Sequence, residues 1–313
     1  MTETTLAILH NAYEQSISRA ESIVGVLRFL KESLDKEHGL VPSEDLPIFN
    51  SFLDGVDTCI HYRMNTSEIT DMLTFVTTTM LYIVRWINTT RESPLDADIF
   101  SRRKSLESNL TKILSKSCID PSISPPQDDV FGMRVILLNE LPPEDATKCL
   151  YELHHTFNDI LGGKDPQKKK AFLQWCEESY ILPPVKTIIQ DVLSTPFQIE
   201  SKTDYVANPK PNGYQSIHTI YRYGFFHPYE ILRGIPFELQ LRTLAMDYNA
   251  EHGPAAHTNY KAELDKMISK VFKLDDYSKA KIPGLTNELD YDGVKKQSEE
   301  GKKYYVRRTL MTN

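Results

Sequence analysis

Ile235-Pro-Phe-Glu-Leu-Gln-Leu-Arg242 alternates apolar and polar side chains along its length. In a strand, successive side chains point to opposite faces, so Glu238, Gln240 and Arg242 share one face and Phe237, Leu239 and Leu241 the other. This spacing predicts a strand with one apolar face buried and an acid, an amide and a guanidinium in a row on the opposite face. The alternation alone also describes an ordinary half-exposed strand carrying a Glu/Arg pair, so the neighbouring segments must decide what the row is for.

Three more strands are expected around it. Phe197 to Tyr205 and Gln215 to Tyr223 read as strands separated by a proline- and glycine-rich loop, and Phe131 to Leu138 (FGMRVILL) as a buried one. Helices are expected from about Ser105 to Ser115, Pro143 to Leu161, Gln167 to Ser179 and Leu244 through Lys273, with Pro183 and Pro184 marking a turn. Upstream, apolar residues recur at three- and four-residue steps from Thr4 to Leu30 and Pro47 to Trp86, with Ser67 as a cap. No internal repeat is present. The mixture implies an α/β or α+β fold, a β-sheet flanked by helices. It divides into a helical N-terminal segment (1–94), a catalytic domain (95–273) and a basic C-terminal tail (274–313).

With 313 residues, 40% hydrophobic and 25% charged, the chain can bury a core without covalent staples. Cys59, Cys118, Cys149 and Cys176 are scattered, with no CxxC or Cys/His pairing, which argues against a disulfide framework or a zinc site. The N-terminal residues lack the build of a secretion signal, and the apolar run Met72 to Trp86 is too short to span a bilayer. A cytoplasmic protein without membrane partners is expected. Residues 1–100 carry 7 Lys+Arg against 15 Asp+Glu, whereas residues 261–313 carry 12 against 9. The net charge of −7 argues against general nucleic-acid binding but leaves a local basic face at the C-terminal end.

Asp204-Tyr-Val-Ala-Asn-Pro-Lys-Pro-Asn-Gly-Tyr-Gln-Ser-Ile-His218 holds the other chemistry. Two prolines and a glycine stiffen a loop that presents Lys210, Asn212 and Tyr214 just ahead of a strand bearing Ser216 and His218. Such a loop suits a planar base stacked on an aromatic ring with a lysine near phosphate. The string resembles the acceptor-nucleotide loop of RelA/SpoT-type synthetases, and Glu238 to Thr243 resembles the E-x-Q-x-R-T strand that follows it in that family. Asp129-Val-Phe-Gly-Met-Arg134 resembles the family's D-x-x-G-x-R, and Ser101 to Ser108 with Lys112 its R-x-K-x-x-x-S segment. Ala250 to His257, with Tyr260 and Lys261, is similar to the block that closes the domain. The resemblance covers about 100 to 265. The stretch between Arg134 and Tyr205, with Lys168, Lys169, Lys170 and Trp175, is longer than in compact members.

The resemblance implies a nucleotidyltransferase-like synthetase domain that moves the β,γ-diphosphate of ATP to the 3′-hydroxyl of GDP or GTP, releasing AMP. Asp129 and Glu238 would hold Mg²⁺, with Arg134 beside them in the catalytic set. Arg102, Lys104, Ser108 and Lys112 would bind ATP. Lys210, Asn212, Tyr214, His218, Gln240, Arg242 and His257 would serve the acceptor and its phosphates. Glu238 is also the candidate general base, although a metal-held carboxylate is a weak one. No His-Asp dipeptide of the kind the family's hydrolase domain uses is present, so synthesis without hydrolysis is expected.

An alternative acceptor is the 3′ CCA end of tRNA, as in the toxic members of the family, because Lys295, Lys296, Lys302, Lys303, Arg307 and Arg308 with Tyr304 and Tyr305 suit RNA contact. An antitoxin or regulatory protein and a homo-oligomer are further partners considered. Two other classes stand against this reading. One is an inactive nucleotide-binding relative, disfavoured by the presence of Asp129, Arg134, Tyr214 and Glu238. The other is a nucleotidyltransferase using Asp128-Asp129, which would release pyrophosphate rather than AMP.

Overall fold

A computed structural model describes residues 1–64, 66–122, 130–223, 234–252 and 262–272, with only the backbone described at 66, 67, 102, 103, 251, 252 and 262–265. Its helices are α1 (Glu3–Arg19), α2 (Ile23–Glu37), α3 (Leu46–Met64), α4 (Thr66–Asn88), α5 (Leu106–Ile119), α6 (Pro143–Leu161), α7 (Pro166–Glu178), α8 (Pro183–Ser194), α9 (Leu244–His252) and α10 (Ala262–Phe272). Its strands are β1 (Ala97–Arg103), β2 (Phe131–Leu137), β3 (Gln198–Asp204), β4 (Ile217–Arg222) and β5 (Pro236–Thr243). The described residues form two compact units.

The first unit is helical and consists of α1, α2, α3, α5 and α10. Its helices start where short polar side chains can cap them: Thr2, Ser22 and Ser105 each accept a backbone N–H from the first turn of α1, α2 and α5. Leu9, Tyr13, Leu27, Leu30, Phe52, Ile113 and Phe272 meet in one core, with the Tyr13 and Phe272 rings edge-on at 5.0 Å. Gly55 of α3 lets α5 come close, since a Cβ there would lie 2.4 Å from Ile113 Cγ2. The chain start is tied down by Asp45, whose Oδ2 accepts from the Thr2 backbone and hydroxyl and from Thr5.

The second unit is built on a five-stranded sheet of order β1-β2-β5-β4-β3. β2 runs parallel to β5, while β4 is antiparallel to both β5 and β3, so the sheet is mixed and the class α+β. Register puts Met133, Val135, Leu239, Leu241, Ile217, Thr219 and Tyr221 on one face. These are buried, with α6 against them: His154 Nε2 lies 2.9 Å from Thr219 Oγ1, and Tyr221 donates to Asn158 Oδ1 at 2.8 Å. Burial lowers the His154 imidazole to about 4.

Two expectations are corrected. Pro183 and Pro184 open helix α8 rather than mark a turn, because proline suits a first helical turn, whose N–H groups lack intrahelical partners. Ala97–Arg103 forms an edge strand that was not expected, with Arg102 and Arg103 at its end. Ser67 lies inside α4 rather than ahead of it. The long stretch after β2 is α6, α7 and α8, and two of its lysines are engaged there: Lys168 with Asp159 at 2.7 Å and Lys169 with the Leu193 carbonyl at 2.5 Å. Among the described residues, no helix is long and apolar enough to cross a membrane.

Candidate active site

The polar face of β5 meets those of β2 and β4 in register. Gln240 pairs with Arg134 of β2 and His218 of β4, and Glu238 pairs with Gly132 of β2 and Ile220 of β4. The face is more enclosed than alternation suggests. Gln240 and Arg242 are buried, and Glu238 and His218 keep about a sixth of their side-chain surface.

These residues close into a ring of hydrogen bonds. Arg242 Nη2 donates to Gln240 Oε1 at 3.0 Å and to the Tyr214 hydroxyl at 2.7 Å. Gln240 Nε2 donates to Glu238 Oε2 at 2.6 Å. The Tyr214 hydroxyl lies 2.9 Å from His218 Nε2, and His218 Nδ1 lies 2.8 Å from Glu238 Oε1. One assignment of protons gives each of these bonds a donor and an acceptor: Tyr214 donates to Nε2, and Nδ1–H donates to the carboxylate. Two hydrogen-bonded arms then run from one cation, Arg242, to one anion, Glu238, and each arm reaches a different carboxylate oxygen. Low surrounding polarity strengthens such chains.

The loop before β4 is held by its own backbone. Gly213 takes φ +80, a conformation glycine adopts without strain, while its N–H reaches the Lys210 carbonyl at 2.8 Å. Asn212 Oδ1 accepts from the Tyr214 N–H, and Lys210 N–H donates to the Tyr214 carbonyl. Lys210 Nζ sits 5.0 Å from the Tyr214 ring centroid and 4.5 Å from that of Tyr205, and the Arg242 guanidinium carbon is also 5.0 Å from the Tyr214 ring. The ring expected to stack a base therefore already has two cations against it.

Sequence reading missed Asp247. It lies in α9, is 3% exposed, and its Oδ1 accepts from Arg242 Nη1 at 3.0 Å and Arg134 Nη1 at 3.3 Å. Asn249 of the same helix donates to the Gly213 carbonyl at 3.1 Å. The available signal was an acid five residues after Arg242, but only the direct passage from β5 into α9 brings it back onto the strand.

Of the expected ATP-binding residues, Lys104, Ser108 and Lys112 lie in the helical unit. Ser108 sits in the first turn of α5, and its hydroxyl is 2.9 Å from that of the cap Ser105. Lys112 is one turn further on and half-buried. Asp129, His257, Tyr260 and Lys261, and the side chain of Arg102, lie outside the described residues. Among the described residues, no cluster of three or more His, Cys, Asp or Glu groups could hold a metal. The donor chemistry of Glu238 nonetheless fits a hard cation, since carboxylate oxygens are the ligands that Mg²⁺ takes.

A family model described as "Region found in RelA / SpoT proteins" matches residues 101–265. Among curated proteins, the GTP pyrophosphokinase of Haemophilus influenzae is 53% identical over 60 residues, which are 18% of this chain and 7% of that protein. A probable chloroplastic GTP diphosphokinase of Arabidopsis thaliana, RSH3, is 27% identical over 198 residues, 62% of this chain and 20% of the relative. The chain thus spans a fifth or less of these relatives' length. Among solved structures, small alarmone synthetase 1 of Bacillus subtilis bound to its product pppGpp is 19% identical, with 68% of this chain and 89% of that chain covered at a TM-score of 0.34. Small alarmone synthetase 2 of the same organism is 19% identical, with 64% and 87% covered and the same TM-score. The family match spans more than half of the chain and includes the strand that bears Glu238, Gln240 and Arg242, so the chain belongs to the RelA/SpoT family.

Proposed function

We propose that this chain is an ATP-dependent pyrophosphokinase that moves the β,γ-diphosphate of ATP onto the 3′-hydroxyl of GDP or GTP and releases AMP. The observation that carries the reading is the hydrogen-bonded ring ending on Glu238. A carboxylate gripped at both oxygens by oriented donors is pre-aimed, which is what a group receiving a hydroxyl proton requires.

In this reading the acceptor base stacks on Tyr214, and Lys210, already beside that ring, turns to the acceptor's phosphates. Arg134 and Arg242, fixed by Asp247, offset charge on the transferring diphosphate. Lys104, Ser108 and Lys112 hold the ATP phosphates at the start of α5, where unpaired helical N–H groups favour anions. Glu238 with Asp129 would hold Mg²⁺, which supplies charge neutralisation on the phosphate oxygens when bound. His218 holds Glu238 in place and contacts the acceptor ribose. Arg102 and His257 retain the phosphate-binding roles that the family resemblance implies.

The guanine nucleotide is the preferred acceptor because the Asn212-Gly213-Tyr214 turn resembles the acceptor-nucleotide loop of the family's alarmone synthetases. A tRNA acceptor rests on residues 295–308, which lie outside the described residues. The test is to incubate the full chain with ATP and Mg²⁺ and, separately, GDP, GTP, ATP or deacylated tRNA, and to resolve the nucleotides by anion-exchange chromatography. The reading expects AMP in step with a guanosine tetra- or pentaphosphate. AMP formed only with tRNA would replace the acceptor, and pyrophosphate release without AMP would replace the reaction.

A further inference from the structure

We infer that Arg63, in the helical unit and outside the family-matched region, is a positioning residue for the donor nucleotide, through its hydrogen bond to the main chain of Lys104. The inference rests on the proposed reading of Lys104, Ser108 and Lys112 as the ATP grip.

Gly55, Cys59 and Arg63 are spaced four apart and form one stripe along α3. The stripe follows α5 in the opposite chain direction. Gly55 meets Ile113, Cys59 Sγ lies 3.9 Å from Asn109 Nδ2, and Arg63 Nη2 donates to the Lys104 carbonyl. That carbonyl precedes the cap residue Ser105, so the helical ladder of α5 offers it no donor. The N–H of the same residue donates to the Val130 carbonyl at 3.0 Å. Lys104 is therefore fixed at its N–H by Val130, the neighbour of Asp129, and at its carbonyl by Arg63.

Arg63 is 3% exposed. Burying a guanidinium is costly, and an aliphatic side chain would fill a packing seam at lower cost. What an aliphatic residue cannot do is reach past the end of α5 and hold a carbonyl. Ser108 and Lys112 lie beside the buried Asn109 and Ile113 row, on a more exposed flank of α5, so fixing the helix start fixes where both polar groups stand. The helices before β1 thereby gain a role in the reaction without touching substrate.

The test compares wild type, Arg63→Met, Arg63→Lys and the packing control Val26→Ala in α2, all in the full chain. Far-UV circular dichroism reports folding, titration with a fluorescent non-hydrolysable ATP analogue gives its Kd, and steady-state rates give KM for ATP and for GDP. Arg63→Met is expected to raise both the analogue Kd and the ATP KM about tenfold, the scale of one hydrogen bond to a charged group, and to leave the GDP KM within about twofold. Arg63→Lys, which keeps the cation but not the fork, should fall between. Val26→Ala should lower the melting temperature and leave the analogue Kd unchanged. A folded Arg63→Met with wild-type Kd overturns the inference, as does Val26→Ala weakening the analogue equally. Should Arg63→Met fail to fold, Arg63→Lys at wild-type Kd overturns it and a weakened Kd upholds it. A wild-type chain that binds no analogue overturns the underlying ATP reading, an outcome distinct from the others.

Discussion

Asp247 Oδ1 lies 3.0 Å from Arg242 Nη1, and each side chain is 3% exposed. The same oxygen takes a second guanidinium hydrogen bond from Arg134, so one buried acid joins α9 to β5 and β2. Removing one partner of such a cluster leaves buried charge uncompensated, which costs more than the pair contributes while intact. Asp247→Ala is therefore expected to lower the unfolding free energy by about 3–5 kcal/mol in urea denaturation. A change under about 1 kcal/mol would contradict this account of the cluster.

Glu238 is only half-buried and ends the hydrogen-bonded ring instead of bracing it from inside. Glu238→Gln keeps the shape and loses the charge, so turnover should fall by about two to four orders of magnitude while far-UV circular dichroism stays unchanged. Turnover within a few-fold of wild type would remove Glu238 from the chemistry.

Tyr214 can be divided into its ring and its hydroxyl. Tyr214→Ala should raise the acceptor KM roughly tenfold or more, the scale of one base–aromatic stack, with a small effect on ATP. Tyr214→Phe keeps the ring but deprives His218 of a donor and Arg242 of an acceptor, so it should act on turnover more than on acceptor KM. Equal rises in both KM values for the alanine variant would mark Tyr214 as structural.

His154 makes stability depend on pH. Burial holds its pKa at about 4 in the folded chain, below the ordinary 6.5, so the unfolded chain binds more protons between these values. Stability is then full above about pH 6.5 and falls on acidification, by about 2 kcal/mol between pH 7 and pH 5 from this group alone. His154→Gln should remove that slope relative to wild type in urea denaturation at the two pH values. An unchanged slope would mean that His154 is not kept neutral by burial.

Strands β2, β4 and β5 were legible because period-two alternation and branched apolar runs are local signals, and the same alternation placed Glu238, Gln240 and Arg242 on one face. It could not tell how closed that face is, because the cover comes from Tyr214 and Asp247, brought in by a loop and by α9. Helix α8 was hidden behind Pro183 and Pro184, since proline ends a helix from within and starts one from its first turn. Strand β1 was missed because Asp98, Ser101, Arg102 and Arg103 give it no apolar run, and an edge strand needs none. Arg63 gave no signal at all, because its meaning lies in a carbonyl 41 residues away.

The most direct test of the central claim follows the label from γ-³²P ATP in the presence of Mg²⁺ and GDP. The account predicts that the label appears at the 3′ position of a guanosine tetraphosphate, one per AMP formed, and that Glu238→Gln abolishes the transfer. Label recovered only as orthophosphate or pyrophosphate, with the guanine nucleotide unlabelled, would contradict it.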